Sequence, residues 1–112
     1  SDWGNNGPGV ITRTLKKICG TTKVMEMIAL DVCKDFRVLP IDKCYSIRWV
    51  EHAKFFKPEF LNETLERLSN SLIAHVWNKF SSTTPLTKDA EVAYIHLARK
   101  FCPKTLSVGD YF

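Results

Sequence analysis

The segment AHVWNK at positions 74–79 sets an imidazole, an indole, an amide and an ammonium side by side, directly after the apolar run SLIA. Taken as an extended strand, it places Ile73, His75 and Trp77 on one face and Ala74, Val76 and Asn78 on the other, with Lys79 following on the His75 side. A neutral imidazole ligates divalent metals. An ammonium answers phosphate charge as a point charge. The indole stacks on a ligand ring or packs in a core. A satisfied core histidine beside a core tryptophan accounts for the same residues equally well. The second candidate is NNGPGVITR at 5–13, a polar loop that feeds a helix start at Gly7 and Pro8, with Thr12 one turn on. Free backbone N–H groups at such a start hold an anion or a sugar hydroxyl, and glycine permits close approach of backbone and ligand. Ordinary capping of the helix is the plainer explanation.

Other chemistries lack their residues. The GK[ST] ending of a phosphate-binding P-loop is missing, as is GxGxxG after a strand. Asp2, Asp31, Asp35, Asp42 and Asp89 are isolated, and Asp110 sits near a terminus expected to be mobile; no D-x-D or E-x-x-H occurs. Glu63 and Glu66 fall one turn apart on a polar helical face, a poor glycosidase pair. No GxSxG elbow supports an esterase. His52 and His96 are expected to decorate helix surfaces.

The elements that must position these residues follow from periodicity and punctuation. Val10, Ile11, Leu15 and Ile18 predict a helix over 8–18, opened by Pro8 and ended by Gly20. Residues 23–34 have no clear period and suit a short helix or a loop. Short extended pieces are expected over 36–40, stopped by Pro40, and over 44–49. Trp49, Ala53 and Phe56 share one helical side. Residues 59–70 are amphipathic, and 71–77 are predicted to be a strand. The cleanest helix spans 89–101, with Ala90, Ala93, Tyr94, Leu97, Ala98 and Phe101 recurring at three and four before Pro103. No repeat or linker divides the chain, so one domain over 1–112 with mixed α/β character is expected.

Totals bound the partners. A net charge of +4 favours phosphates or anionic surfaces, but the lysines are scattered and no nucleic acid partner is expected. Residues 71–77 are too short to span a bilayer, and the opening SDWGNNGPG has no leader pattern, so any anchor is expected upstream. The four cysteines, Cys19, Cys33, Cys44 and Cys102, form no CxxC pair; two disulfides in an oxidising compartment, with three possible pairings, or four buried thiols would both suit them. One glycosylation sequon stands at Asn62-Glu63-Thr64.

Taken together, Gly7-Pro8 with Thr12-Arg13, Leu15-Lys16-Lys17 and Cys19, Val38-Leu39-Pro40, Tyr45 with Ile47 and Trp49, Phe55-Phe56, His75-Val76-Trp77-Asn78-Lys79 with Ser81, and Cys102-Pro103 resemble the C-terminal conserved region of the α-1,4-glycosyltransferases over nearly the whole chain. That family includes lactosylceramide 4-α-galactosyltransferases and α-1,4-N-acetylglucosaminyltransferases, and NNGPGVITR is most similar in style to insect members. The resemblance implies a retaining transferase with a nucleotide-binding α/β (GT-A-like) fold, its C-terminal portion being mostly helices with a few short strands. It implies a UDP-sugar donor, a glycan or glycolipid acceptor, and a divalent metal, usually Mn2+, held by an upstream D-x-D motif that this chain lacks. It implies a type II membrane protein on the lumenal side of the Golgi. Gly7, Pro8 and Thr12 are then expected to shape a helix start beside the cleft, with His75 approaching the metal and diphosphate and Trp77, Asn78 and Lys79 supporting that wall. Relatives commonly carry phenylalanine-tyrosine-proline-isoleucine where Cys44-Tyr45-Ser46-Ile47 stands here, and a tryptophan at Ala53. Cys44 would then offer a new disulfide partner or repack, and the lost proline would loosen a turn. The chain alone is expected to show no turnover, because one metal ligand cannot replace absent carboxylates. The alternative is a diverged, non-catalytic carbohydrate- or anion-binding domain.

Overall fold

The computed structural model describes residues 2–109; Asp110 lies outside them. The expected α/β architecture is not what forms. Among the described residues every regular element is helical, with no β-strand and hence no nucleotide-binding sheet of the GT-A type. The three predicted strands fail for one reason. Alternation supplies a face, but a strand also needs a neighbour to take its N–H and C=O groups. Over residues 71–77 the backbone pairing with another segment among the described residues is Leu72 and Ile73 N–H donating to one carbonyl, that of Lys43, at 2.8 and 3.3 Å. The extension then ends at Trp77, whose backbone is left-handed (φ 56°, ψ 50°).

The chain divides into two compact units, 1–40 and 41–112, each described here by itself. The first holds α1 (Asp2–Asn6), α2 (Pro8–Cys19) and α3 (Val24–Ala29). Proline opens α2, and Gly20 closes it in the left-handed conformation (φ 66°) that glycine adopts without steric cost. Lys16 and Lys17 fall in the last turn, where cations meet the negative end of the helix dipole. The small core of this unit is Cys19, Met27 and Cys33, with Leu15, Val32 and Val38 against it. Cys19 and Cys33 form a disulfide across a separation of 14 residues. A closed loop of that size contributes about 3 kcal/mol in the chain-entropy account, a large share for so small a core. Cys44 and Cys102 are free thiols, so the second disulfide that an even count allows is not formed.

The second unit strings two short 3-10 turns and a longer one (Trp49–Phe55) ahead of α4 (Leu61–Leu68), α5 (Asn78–Ser81), α6 (Ala93–Phe101) and α7 (Pro103–Leu106). Ile47, Phe55, Leu68 and Ala93 are buried together, and Phe56, Leu61, Leu65, Val76, Tyr94 and Leu97 pack around them. Phe56 and Tyr94 also border the second cluster, Leu86, Val92 and Ile95, so α6 is the spine of both. Leu61, Leu65 and Leu68 of the predicted 59–70 stripe and Ala93, Tyr94 and Leu97 of the predicted 89–101 stripe thus face the core, whereas Phe101 is exposed and the fully buried Thr64 and Ile95 lie off both stripes.

A brace of charges fixes the Trp49–Phe55 turn to α4. Arg67 donates two parallel bonds to the carboxylate of Glu51, at 2.9 and 3.0 Å, and a further bond to the Ser46 carbonyl. Lys54 bridges Glu51 (3.3 Å) and Glu63 (2.5 Å). The Arg67 bonds hold the Glu51 carboxyl down at about 2, against an ordinary value of 4.5. Thr64, fully buried on α4, donates to the Lys54 carbonyl at 3.3 Å.

Candidate functional site

The N-terminal candidate becomes more constrained in three dimensions. Asp2–Asn6 is already helical, so the expected loop shrinks to Gly7 between two helices. Thr12 Oγ1 donates back to the Pro8 carbonyl at 3.0 Å, and Arg13 Nη2 donates to the Asn5 carbonyl at 2.9 Å. Gly9 is the close-approach glycine: a Cβ there would meet the Gly4 carbonyl oxygen at 2.6 Å. The close approach that glycine permits is thus between α1 and α2. Gly7, Pro8 and Thr12 lie in the first unit, and His75, Trp77, Asn78 and Lys79 in the second.

In the second unit the rings of Tyr45, His75 and Trp77 meet. Ring centroids stand 5.4 Å apart for Tyr45–His75, 5.5 Å for Tyr45–Trp77 and 4.3 Å for His75–Trp77, with planes tilted by 35–49°. Tyr45 and His75 are exposed and Trp77 half-buried. His75 and Trp77 therefore share one side, as alternation predicts, although no strand puts them there. Val76, on the other side, packs on the core.

Four hydrogen bonds fix this arrangement. The Trp77 indole N–H donates to the carbonyl of buried Ile47 at 2.9 Å. The Trp77 backbone N–H donates to His75 Nδ1 at 3.1 Å. Ser81 Oγ donates to the Val76 carbonyl, and the Phe80 N–H to that of Trp77, both at 2.8 Å. A left-handed backbone at a bulky residue costs on the order of 1–2 kcal/mol, and these bonds offset it. Because Nδ1 accepts the Trp77 N–H, the ring proton of the neutral imidazole sits on Nε2. His75 thus presents a donor at that nitrogen. A metal at Nε2 would need the proton moved to Nδ1, against the Trp77 N–H.

Asn78 and Lys79 are exposed in the single turn of α5, and Lys79 Nζ stands 6.0 Å from the Phe80 ring. A second aromatic group borders this turn: Phe80 meets Trp49 at 5.8 Å and His52 at 5.6 Å. His52 is half-buried and bonded through Nδ1 to the Trp49 carbonyl at 2.8 Å, a role beyond surface decoration. His96 pairs with Glu91 at 2.8 Å. The sequence candidates omit Tyr45, Trp49 and Phe80 from the site; the only local signal for the first two is the aromatic density of YSIRW.

A resident metal does not fit these residues alone. The rings beside His75 bring no carboxylate, and among the described residues no group of three histidine, cysteine, aspartate or glutamate side chains converges. No helix among them is long and apolar enough to cross a membrane.

Residues 1–109 match the family model described as the alpha 1,4-glycosyltransferase conserved region. The chain is similar to lactosylceramide 4-alpha-galactosyltransferase of Rattus norvegicus, 32% identical over 103 residues, covering 92% of this chain and 28% of that protein. It is 35% identical over 104 residues to the protein of the same name from Pongo pygmaeus, covering 92% of this chain and 46% of the relative. The alpha-1,4-N-acetylglucosaminyltransferase of Homo sapiens is 26% identical over 104 residues, with 92% and 29% covered. The chain thus spans less than half the length of these relatives. No solved structure matches it.

Proposed function

The chain belongs to the alpha 1,4-glycosyltransferase family, and from that premise we propose that it is a carbohydrate- or anion-binding region without turnover of its own. Sugar transfer, on this view, belongs to a longer polypeptide that carries it. The observation that supports this is the composition of the second-unit site: three clustered rings with a histidine donor among them, and no group of three histidine, cysteine, aspartate or glutamate side chains converging among the described residues. Such a set binds and orients, and among the described residues it brings no converging metal cage.

The longer polypeptide is proposed to move a hexose or N-acetylhexosamine from a UDP-sugar to a glycan or glycolipid acceptor in α-1,4 linkage with retention. Manganese or another divalent ion, held by carboxylates outside this chain, would supply charge neutralisation at the diphosphate. This chain's part is to place the His75 Nε2–H and the Lys79 ammonium where negative charge grows on the leaving group. Trp77 fixes the imidazole through its backbone N–H, and Asn78 starts the turn that carries Lys79. Gly7, Pro8 and Thr12 are proposed to shape the α2 start of the first unit for substrate binding. A Golgi lumenal setting, with the anchor upstream, suits the Cys19–Cys33 disulfide.

The test is sugar transfer by the longer polypeptide against a panel of UDP-sugars and acceptors, with and without manganese, for the native protein and His75→Ala. Loss of one oxyanion-type donor lowers kcat by about 10²–10³-fold, and that is the expected result. Full activity of the variant would return His75 to a packing role. Turnover by residues 1–112 alone would overturn the non-catalytic reading.

A further inference from the structure

We propose that Tyr45, His75 and Trp77 form a stacking platform for one uncharged hexopyranose ring; this rests on the carbohydrate-binding function proposed above.

Three observations carry it. The first is presentation. Tyr45 is 42% exposed, yet its ring is seated against two others, and Trp77 is pinned from behind through Ile47, which is 1% exposed. Aromatic side chains held this rigidly lose little conformational entropy when a ligand covers them. The second is the strained backbone of Trp77, which is kept in the left-handed region by its hydrogen bonds and gives the indole and imidazole their common side. Strain of this kind persists where surrounding structure over-determines it, and it clusters at ligand sites. The third is the polar rim. The Tyr45 hydroxyl makes no hydrogen bond within the described residues, so it remains available to a ligand's hydroxyls.

The shape selects among ligands. Planes tilted by 35–49° make a faceted, shallow surface and not a parallel-walled slot. A planar base stacks best between parallel faces. A puckered pyranose instead turns a patch of C–H groups, weakly positive, toward the negative faces of the rings. Its hydroxyls then lie at the edge, where the Tyr45 phenol can meet them. No charged side chain belongs to the trio, which suits a neutral ring.

The platform is testable by NMR on isotope-labelled residues 1–112, following the Trp77 indole N–H, the His75 ring and the Tyr45 ring. Probes are methyl β-galactoside, methyl N-acetylglucosaminide and uridine monophosphate. Expected are saturable, millimolar shifts of these three residues with at least one glycoside. The Tyr45→Ala variant should bind about tenfold more weakly, a loss of about 1.4 kcal/mol, while its remaining spectrum is unchanged. Tyr45→Phe should keep most of the affinity, because it keeps the ring. Shifts with uridine monophosphate in place of the glycosides, no shifts at all, or equal affinity in Tyr45→Ala would each overturn the platform. So would protection of these rings from glycoside in the longer polypeptide. A longer polypeptide that transfers no sugar while the platform still titrates would sink the transfer reading alone.

Discussion

At the residue scale, local electrostatics explains more here than residue identity does. His75 is the residue that a sequence search for metal ligands selects, yet its tautomer follows from the backbone N–H two residues later. Spacing gives no access to that, because a bond from the Trp77 N–H back to the imidazole depends on the local path of the backbone, which residue order does not show. Glu51 shows the same dependence on three-dimensional neighbours. Nothing in EHAKFF marks it, but the paired bonds from Arg67, 16 residues away, make it the anchor of the second unit. Its carboxyl is depressed, so the stabilisation is fully present above the ordinary carboxylate value of 4.5 and is lost as pH falls through that value towards about 2. The shift alone corresponds to about 3 kcal/mol, and solvent at this part-exposed brace reduces it to roughly 1–2 kcal/mol. Glu51→Gln is therefore expected to be less stable than the native chain by that amount at neutral pH, in urea unfolding. The difference should shrink below pH 4.5 and vanish near pH 2; a gap independent of pH would mean that the brace acts through packing.

At the element scale, what was legible in the sequence is what local rules decide. Pro8, the Val10-to-Ile18 stripe and Gly20 specify α2 to within a residue, because opening, face and stop are all written in one stretch. The α6 stripe was equally plain, although helix begins only at Ala93, after extended Val92. The strands were misassigned because pairing is decided by partners 25–30 residues away, which alternation cannot see. Tyr45 was missed in the site for the same reason: its neighbours His75 and Trp77 lie 30 and 32 positions on. Ser46 is a related case. Its hydroxyl, at the position where the family resemblance implies a proline, stands 2.5 Å from the Asp42 carbonyl and 2.6 Å from the Ser71 hydroxyl, so the turn expected to be loosened is tied by hydrogen bonds. Two glycines of the first unit, Gly4 and Gly9, give a sharp contrast. Gly4 has open space where a Cβ would stand, while one on Gly9 would collide with the Gly4 carbonyl. Gly4→Ala should be neutral, or stabilising by up to ~1 kcal/mol through helix propensity. Gly9→Ala should cost roughly 1–3 kcal/mol, as overpacking does, with faster amide exchange across residues 2–6 and no change in residues 41–109. Equal behaviour of the two variants would mean that α1 is not held on α2 by this approach.

At the scale of the whole molecule, surface area argues that much of what faces water here is built to face protein. A compact chain of 12.8 kDa exposes about 6,300 Å² as one body, and about 7,500 Å² as two separate ones in a 40:72 ratio. This chain exposes 8429 Å². The excess survives the more generous comparison, and it is rich in aliphatic groups: Ile11, Met25, Ile41 and Leu72 are all at least 63% exposed. Exposed apolar side chains scattered singly need no explanation, but at this density in so short a chain they are expected to gather into surfaces made for contact. Relatives more than twice as long as this chain supply a candidate cover, and the proposed division of labour, in which the carboxylates lie elsewhere in a longer polypeptide, needs such a seam. Residues 1–112 alone should therefore bind a hydrophobic dye such as anilinonaphthalene sulfonate, and should self-associate as concentration rises. The longer polypeptide should do neither, while Tyr45 and His75 stay open to glycoside. A monomeric, dye-silent 1–112 would show that these aliphatic groups cover one another in solution, and the seam would have to be abandoned even if the aromatic platform were kept.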